Sequence, residues 1–216
     1  MERHFHEELG LLKRMMTDMG KTALLVVEEA LRLLVDKDQS VLPSLDAHEA
    51  EVDRFQRQVD EVCAALIARY QPTASDLRFI LGCVRANVEI ERMADMAVNL
   101  SHKARRLLET TALDGLDLLK RMTEIAAPMG RDAIRSYVEG DADLAREVIR
   151  RDAKLSLLKA EATCLLTEAM ARDPALIPRA LDAALALRNL ERLGDHAKHV
   201  AEQTIYVVEG RDVHHV

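Results

Sequence analysis

One short pattern occurs twice in this chain. Glu91-Arg92-Met93-Ala94-Asp95 returns one hundred residues later as Glu191-Arg192-Leu193-Gly194-Asp195. Each copy sits inside an apolar seam that recurs at the same offset. The first seam runs Ile80, Cys83, Asn87, Ile90, Ala94, Ala97, Ser101, Ala104 and Leu108. The second runs Ala180, Ala183, Leu187, Leu190, Gly194, Ala197, Ala201, Thr204 and Val208. Steps of three and four residues place each seam on one stripe of a helix, which must be buried against other helices. Met19-Gly20 and Met129-Gly130 pair upstream at a slightly larger offset, which a longer first helix absorbs. A unit of about a hundred residues is too long for a solenoid repeat and reads as a duplicated bundle.

The remaining segments fill in that bundle. Leu9, Leu12, Met16, Met19, Ala23, Val26, Ala30 and Leu33 predict a first helix ending near Asp36-Lys37-Asp38, with Pro43 closing it or opening the next. Val52, Phe55, Val59, Val62 and Leu66 predict a second from about Asp46 to Tyr70. Gln71-Pro72-Thr73 breaks it, and Thr73 or Ser75 can cap the third. Thr110 to Gly115 is the best candidate for a link. Leu116, Leu119, Met122, Ala126, Met129 and Ala133 then predict a fourth helix ending near Gly140. Leu144, Val148, Leu155, Leu158, Ala162, Leu165 and Ala169 predict a fifth. Aromatic residues at 3% and few Gly or Pro argue against a sheet. The expectation is an all-α protein of six long helices in two tandem, pseudo-symmetric three-helix bundles, residues 1–110 and 111–216.

A net charge of −7 argues against a general nucleic-acid binder, whose affinity comes from Lys and Arg on phosphates, and against unaided adhesion to an anionic membrane. Cys63, Cys83 and Cys164 lack metal-site spacing and read as reduced, buried thiols. No apolar stretch approaches the ~20 residues that a membrane span needs. The expected location is the cytoplasm.

Within each repeated pattern the two acids stand one helical turn apart on one face. Glu49 and Asp53 form a further pair of this kind on the second helix. Asp152 is the counterpart of Glu49, but Ser156 stands where the second acid should be. Like charges at this spacing repel by a few tenths of a kcal/mol, so each pair needs a compensating partner. The candidate metal ligands are therefore Glu49, Asp53, Glu91 and Asp95 in the first half. In the second they are Asp152, Glu191, Asp195 and His199. Carboxylate-rich, thiolate-free sites suit hard or borderline cations such as iron, manganese, magnesium or calcium. The bland reading is a solvated face with surface ion pairs worth about 0–1 kcal/mol, to arginines such as Arg78 or Arg188. His196 lies off the Glu191/Asp195 line and reads as a surface residue. Asn87 reads as a hydrogen-bonded buried amide.

These residues together resemble the PhoU proteins, regulators of bacterial phosphate transport and of the phosphate regulon. The resemblance rests on Phe5, Glu8 and Leu9, Met19-Gly20, Asp76-Leu77-Arg78, Glu91-Arg92-x-x-Asp95-x-x-x-Asn99 and Met129-Gly130. It continues with Glu191-Arg192-Leu193-Gly194-Asp195-His196 and the Tyr206 to His215 ending. It implies multinuclear metal clusters on E(D)xxxD motifs, with iron the leading candidate and zinc, manganese or magnesium the others, and no organic cofactor. It also implies a homodimeric, non-catalytic adaptor between the cytoplasmic ATPase subunit of a phosphate ABC transporter and a sensor histidine kinase. Such an adaptor binds no nucleic acid and meets the membrane only through its partners. The alternative from another class is a carboxylate-bridged di-metal oxidase or metal-storage protein of the ferritin-like kind. Its usual Glu-x-x-His pairs are absent from the third and sixth helices. No Gly-rich phosphate loop or Ser/His/Asp order supports an enzyme.

Overall fold

The computed structural model describes residues 2–108 and 116–213. Six helices account for nearly all of them: α1 (Glu2–Asp36), α2 (Leu42–Tyr70), α3 (Ala74–Leu108), α4 (Leu116–Glu139), α5 (Ala142–Arg172) and α6 (Ile177–Glu209). No strand occurs among the described residues. The expected link at Thr110 to Gly115 lies outside them.

Local chemistry sets the breaks. Lys37 takes a positive φ of 61° after α1, and the Asp38 carboxylate then accepts from the Ser40 backbone N–H at 3.0 Å. Pro43 sits in the first turn of α2, where its missing N–H costs nothing. Asp141 caps α5 by accepting from the N–H groups of Asp143 and Leu144 at 3.1 and 2.9 Å. Gly210 ends α6 in the left-handed conformation at φ 70°, donating its N–H to the Tyr206 carbonyl at 2.9 Å.

Helices α1, α2 and α3 pack on one another, as do α4, α5 and α6. The most extensive contact of all is between α3 and α6, with α1 also meeting α4. The duplicated seams explain this. Every described side chain of the α3 seam is buried, and so is every member of the α6 seam except Val208, which is 46% exposed near the helix end. Many of these residues are Ala or Gly, so the two axes approach closely. A Cβ on Gly82 would lie 2.3 Å from Val207 Cγ2, and one on Gly20 would lie 2.5 Å from Ile134 Cγ2. The paired Met-Gly positions thus mark where helices of the two halves touch. On α5, Leu165 is 36% exposed and Leu166 takes its place in the core. One hydrophobic core runs from Phe5 to Ile205 across both halves.

Of the three cysteines, Cys63 and Cys83 are buried, whereas Cys164 is exposed on the outer face of α5. Asn87 donates from Nδ2 to the Gln56 carbonyl and to Asp60 Oδ1, both at 3.0 Å, tying α3 to α2 inside the seam.

Candidate metal centre

The acidic residues of the first half meet across two helices. Glu49 and Asp53 lie on α2, Glu91 and Asp95 on α3, and all four are half-buried. Burial raises the Glu91 carboxyl first, and the charges of Asp95, Asp53 and Glu49 add to it. The net result is about 7, with Arg92 opposing. Glu49 is raised by burial and then by Asp53, Asp95 and Asp46. Burial and Asp53 likewise raise Asp95, against which His196 acts. Burial and neighbouring charges raise Glu49, Glu91 and Asp95, with the Asp53 charge acting on all three, so the patch concentrates negative charge that a cation could offset. Their chemistry, oxygen donors without thiolate, fits the hard or borderline metals expected from the sequence.

The second patch has the same skeleton with different charge. Asp152 on α5 faces Glu191 and Asp195 on α6, and burial, then Asp152 and Glu191, raise the Asp195 carboxyl. Here, however, Lys159 donates from Nζ to Glu191 Oε2 at 2.5 Å, and Lys198 donates to Asp152 Oδ2 at 3.0 Å. The corresponding positions of the first half hold Gln56 and Val98. Two ammonium groups already stand where a metal would supply charge. The exposed Ser156 adds no carboxylate. The second set of residues therefore fits a metal poorly.

His199 acts electrostatically on Asp195, in line with its grouping in the sequence, but its ring also reaches across to the other repeat. Its Nδ1 lies 3.1 Å from Glu89 Oε2, on the facing helix α3. The same oxygen lies 2.7 Å from Nδ1 of His196. His196 is only 7% exposed, which corrects its reading as a surface residue. The reason is that α6 is central and turns this face into α3 rather than to water. Burial alone would raise Glu89, but the hydrogen bonds from His196 and His199 override it and hold the carboxyl at about 2. Among the described residues, these three are the group whose ligand atoms all lie within 4.8 Å of one another, and the quartet's carboxylates spread more widely. The spacing His196-x-x-His199 was the only signal in the sequence; nothing there connects it to Glu89.

Two repeats, one acidic patch per repeat and a central helix pair describe a known architecture. The PhoU domain model matches residues 16–104 and again 119–204. The chain belongs to the PhoU family. A relative from Pseudomonas putida, a phosphate-specific transport system accessory protein PhoU homolog, is 31% identical, with the alignment covering all of this chain and 85% of that one. The crystal structure of PhoU from Pseudomonas aeruginosa superposes with a TM-score of 0.91 at 31% identity, over 96% of this chain and 100% of that one. The PhoU structure from Streptococcus pneumoniae shares the fold, with a TM-score of 0.86 at 22% identity over 97% and 99%. The E(D)xxxD pattern is complete at Glu49/Asp53, Glu91/Asp95 and Glu191/Asp195 and half present at Asp152/Ser156. No described helix is long and apolar enough to cross a membrane.

Proposed function

We propose that this chain is a non-catalytic regulator of phosphate transport, acting in the cytoplasm as an adaptor between the ATPase subunit of a phosphate ABC transporter and a sensor histidine kinase. Membership of the PhoU family, with relatives named as accessory proteins of the phosphate-specific transport system, carries this reading. Glu49, Asp53, Glu91 and Asp95 would hold the metal, iron first among the candidates, and a second copy of the chain would complete a homodimer. A bound cation there would neutralise the repulsion among the four carboxylates and fix α2 against α3. The half-buried position of the quartet also speaks against the ferritin-like alternative, whose ligands project into a bundle interior.

Deletion of the gene tests the regulator directly. The expected outcome is phosphate-responsive transcription that stays on in plentiful phosphate, reversed by the wild-type chain. Unchanged phosphate uptake and unchanged transcription would overturn the reading. Purified protein mixed with the transporter ATPase and with the kinase's cytoplasmic part tests each partner separately, and sedimentation tests the dimer.

A further inference from the structure

The compact cluster between the two repeats is distinct from either acidic patch. Glu89 belongs to α3, while His196 and His199 stand one turn apart on α6, their ring centroids 6.1 Å apart and the rings steeply inclined at 73°. Both Nδ1 atoms point at a single carboxylate oxygen, Oε2. The other oxygen, Oε1, is occupied from outside by the Arg92 guanidinium at 3.3 Å, which orients the carboxylate with Oε2 inward. Glu89 and His199 also line an open cleft of about 610 Å³, together with Arg85, Val88, Arg92 and Gln203.

We propose that Glu89, His196 and His199 form a mononuclear site for a borderline divalent transition metal of the zinc class, joining the two repeats across the α3–α6 interface. Two imidazole nitrogens and one carboxylate oxygen are a three-ligand set that zinc accepts, with metal–ligand bonds of about 2.0–2.2 Å. Such bonds place ligand atoms roughly 3 Å apart; the two nitrogen–oxygen separations are 2.7 and 3.1 Å, and all three ligand atoms lie within 4.8 Å of one another. The fourth position opens on the cleft, where water completes a tetrahedron. The histidines bind as neutral rings through Nδ1 with the proton on Nε2, and any proton shared with Oε2 leaves to solvent.

The surroundings favour added positive charge. Glu202 and Asp195 act on His199, and Asp95 is coupled to His196, so carboxylates surround the pair of rings. Arg92 plays the outer-shell role of holding a ligating carboxylate in orientation. At the corresponding positions the pseudo-symmetric face carries Asn189, Met96 and Asn99. These cannot supply the same ligands, so the site is single. The inference stands independently of the phosphate-regulator reading, since it rests on donor chemistry alone.

The test uses full-length protein stripped with EDTA and titrated with Zn²⁺ against a chromophoric chelator, and with Co²⁺ followed by visible absorption. Four variants separate the sites: H199N, which installs the residue found at position 99; H196N; E89Q; and E49Q/D53N, which removes acids of the first patch only. Wild type and E49Q/D53N should both bind one Zn²⁺ here and give the intense Co²⁺ bands of a four-coordinate ion with nitrogen ligands. H199N should abolish those bands and weaken Zn²⁺ binding beyond the about 10–100-fold expected for loss of an outer partner. His199 is 34% exposed on its side chain, so H199N does not empty the core and circular dichroism should stay unchanged. Weak octahedral Co²⁺ bands in the wild type, or Zn²⁺ affinity of H199N within a few-fold of wild type, would overturn the site. The cluster would then be only a hydrogen-bonded tie between the repeats.

Discussion

Set side by side, the two repeats solve one electrostatic problem in opposite ways. Each gathers carboxylates where the helix before last meets the last helix. In the first, Glu49, Asp53, Glu91 and Asp95 act on one another with no lysine bonded to them among the described residues, and Glu91 is driven up to about 7. In the second, Lys159 and Lys198 bond Glu191 and Asp152, and the fourth acid is replaced by Ser156. An ammonium brings one charge on a tether, supplied by the chain; an external dication brings two and can leave. The lesson is that a duplicated motif preserves helix geometry far more readily than it preserves charge balance. On the function proposed above, one half keeps a place for an exchangeable counter-ion, whereas the other carries its counter-ions on its own chain.

Substitutions can break this contrast. The largest effect belongs to Glu91→Gln/Asp95→Asn, which should abolish the divalent metal binding proposed for the first patch, read by elemental analysis after limited chelation. Glu191→Gln/Asp195→Asn should leave that content unchanged, and equal losses from both variants would erase the distinction. Next comes Lys159→Gln/Lys198→Val, which copies the first repeat into the second. Without its ammonium groups the second patch should gain divalent-cation affinity on the order of tenfold, about 1.4 kcal/mol, measured by calorimetry at low salt.

The packing around the motif differs too, and offers a smaller effect. Ala94 occupies the motif's fourth position in the first repeat, where the residue corresponding to Leu155 is the shorter Val52. Gly194 occupies it in the second, where an added Cβ would lie 2.3 Å from Leu155 Cδ2. Leu155 is fully buried and has little room to yield. Gly194→Ala should destabilise by about 1–2 kcal/mol in urea unfolding despite the better helix former, and Leu155→Val should relieve part of that loss.

Smallest is the pH dependence of Glu91. Its carboxyl is raised in the folded state, so between about 4.5 and about 7 the native protein holds a proton that the unfolded chain has released. Stability therefore falls as pH rises through that window. In metal-free protein the loss should be on the order of 1 kcal/mol, after allowing for solvent screening of a part-exposed group, and Glu91→Gln should flatten it.

The helices were readable because their seams follow the period of the α-helix, and a buried stripe leaves that period in the sequence. Errors fell where the stripe is ambiguous. Leu165 and Leu166 are both leucine, and only the docking of α5 decides which turns inward. The first acidic quartet was equally readable, since spacing along a helix fixes which side chains share a face. The lysine partners were not, because Lys159 reaches Glu191 from another helix, and sequence spacing says nothing about cross-helix reach. Glu89, His196 and His199 were hidden for the same reason, compounded by the central position of α6, which buries a histidine that a surface helix would expose.

That central position has one more consequence. Since α3 and α6 bury their richest seams in each other, and a single core passes from Phe5 to Ile205, neither half carries a finished interior of its own. A fragment cut back to one repeat would present to water the alanine-rich face that its sister now covers. The duplication has become irreversible: what began as two copies can be lost only together, and the whole chain should melt in a single step.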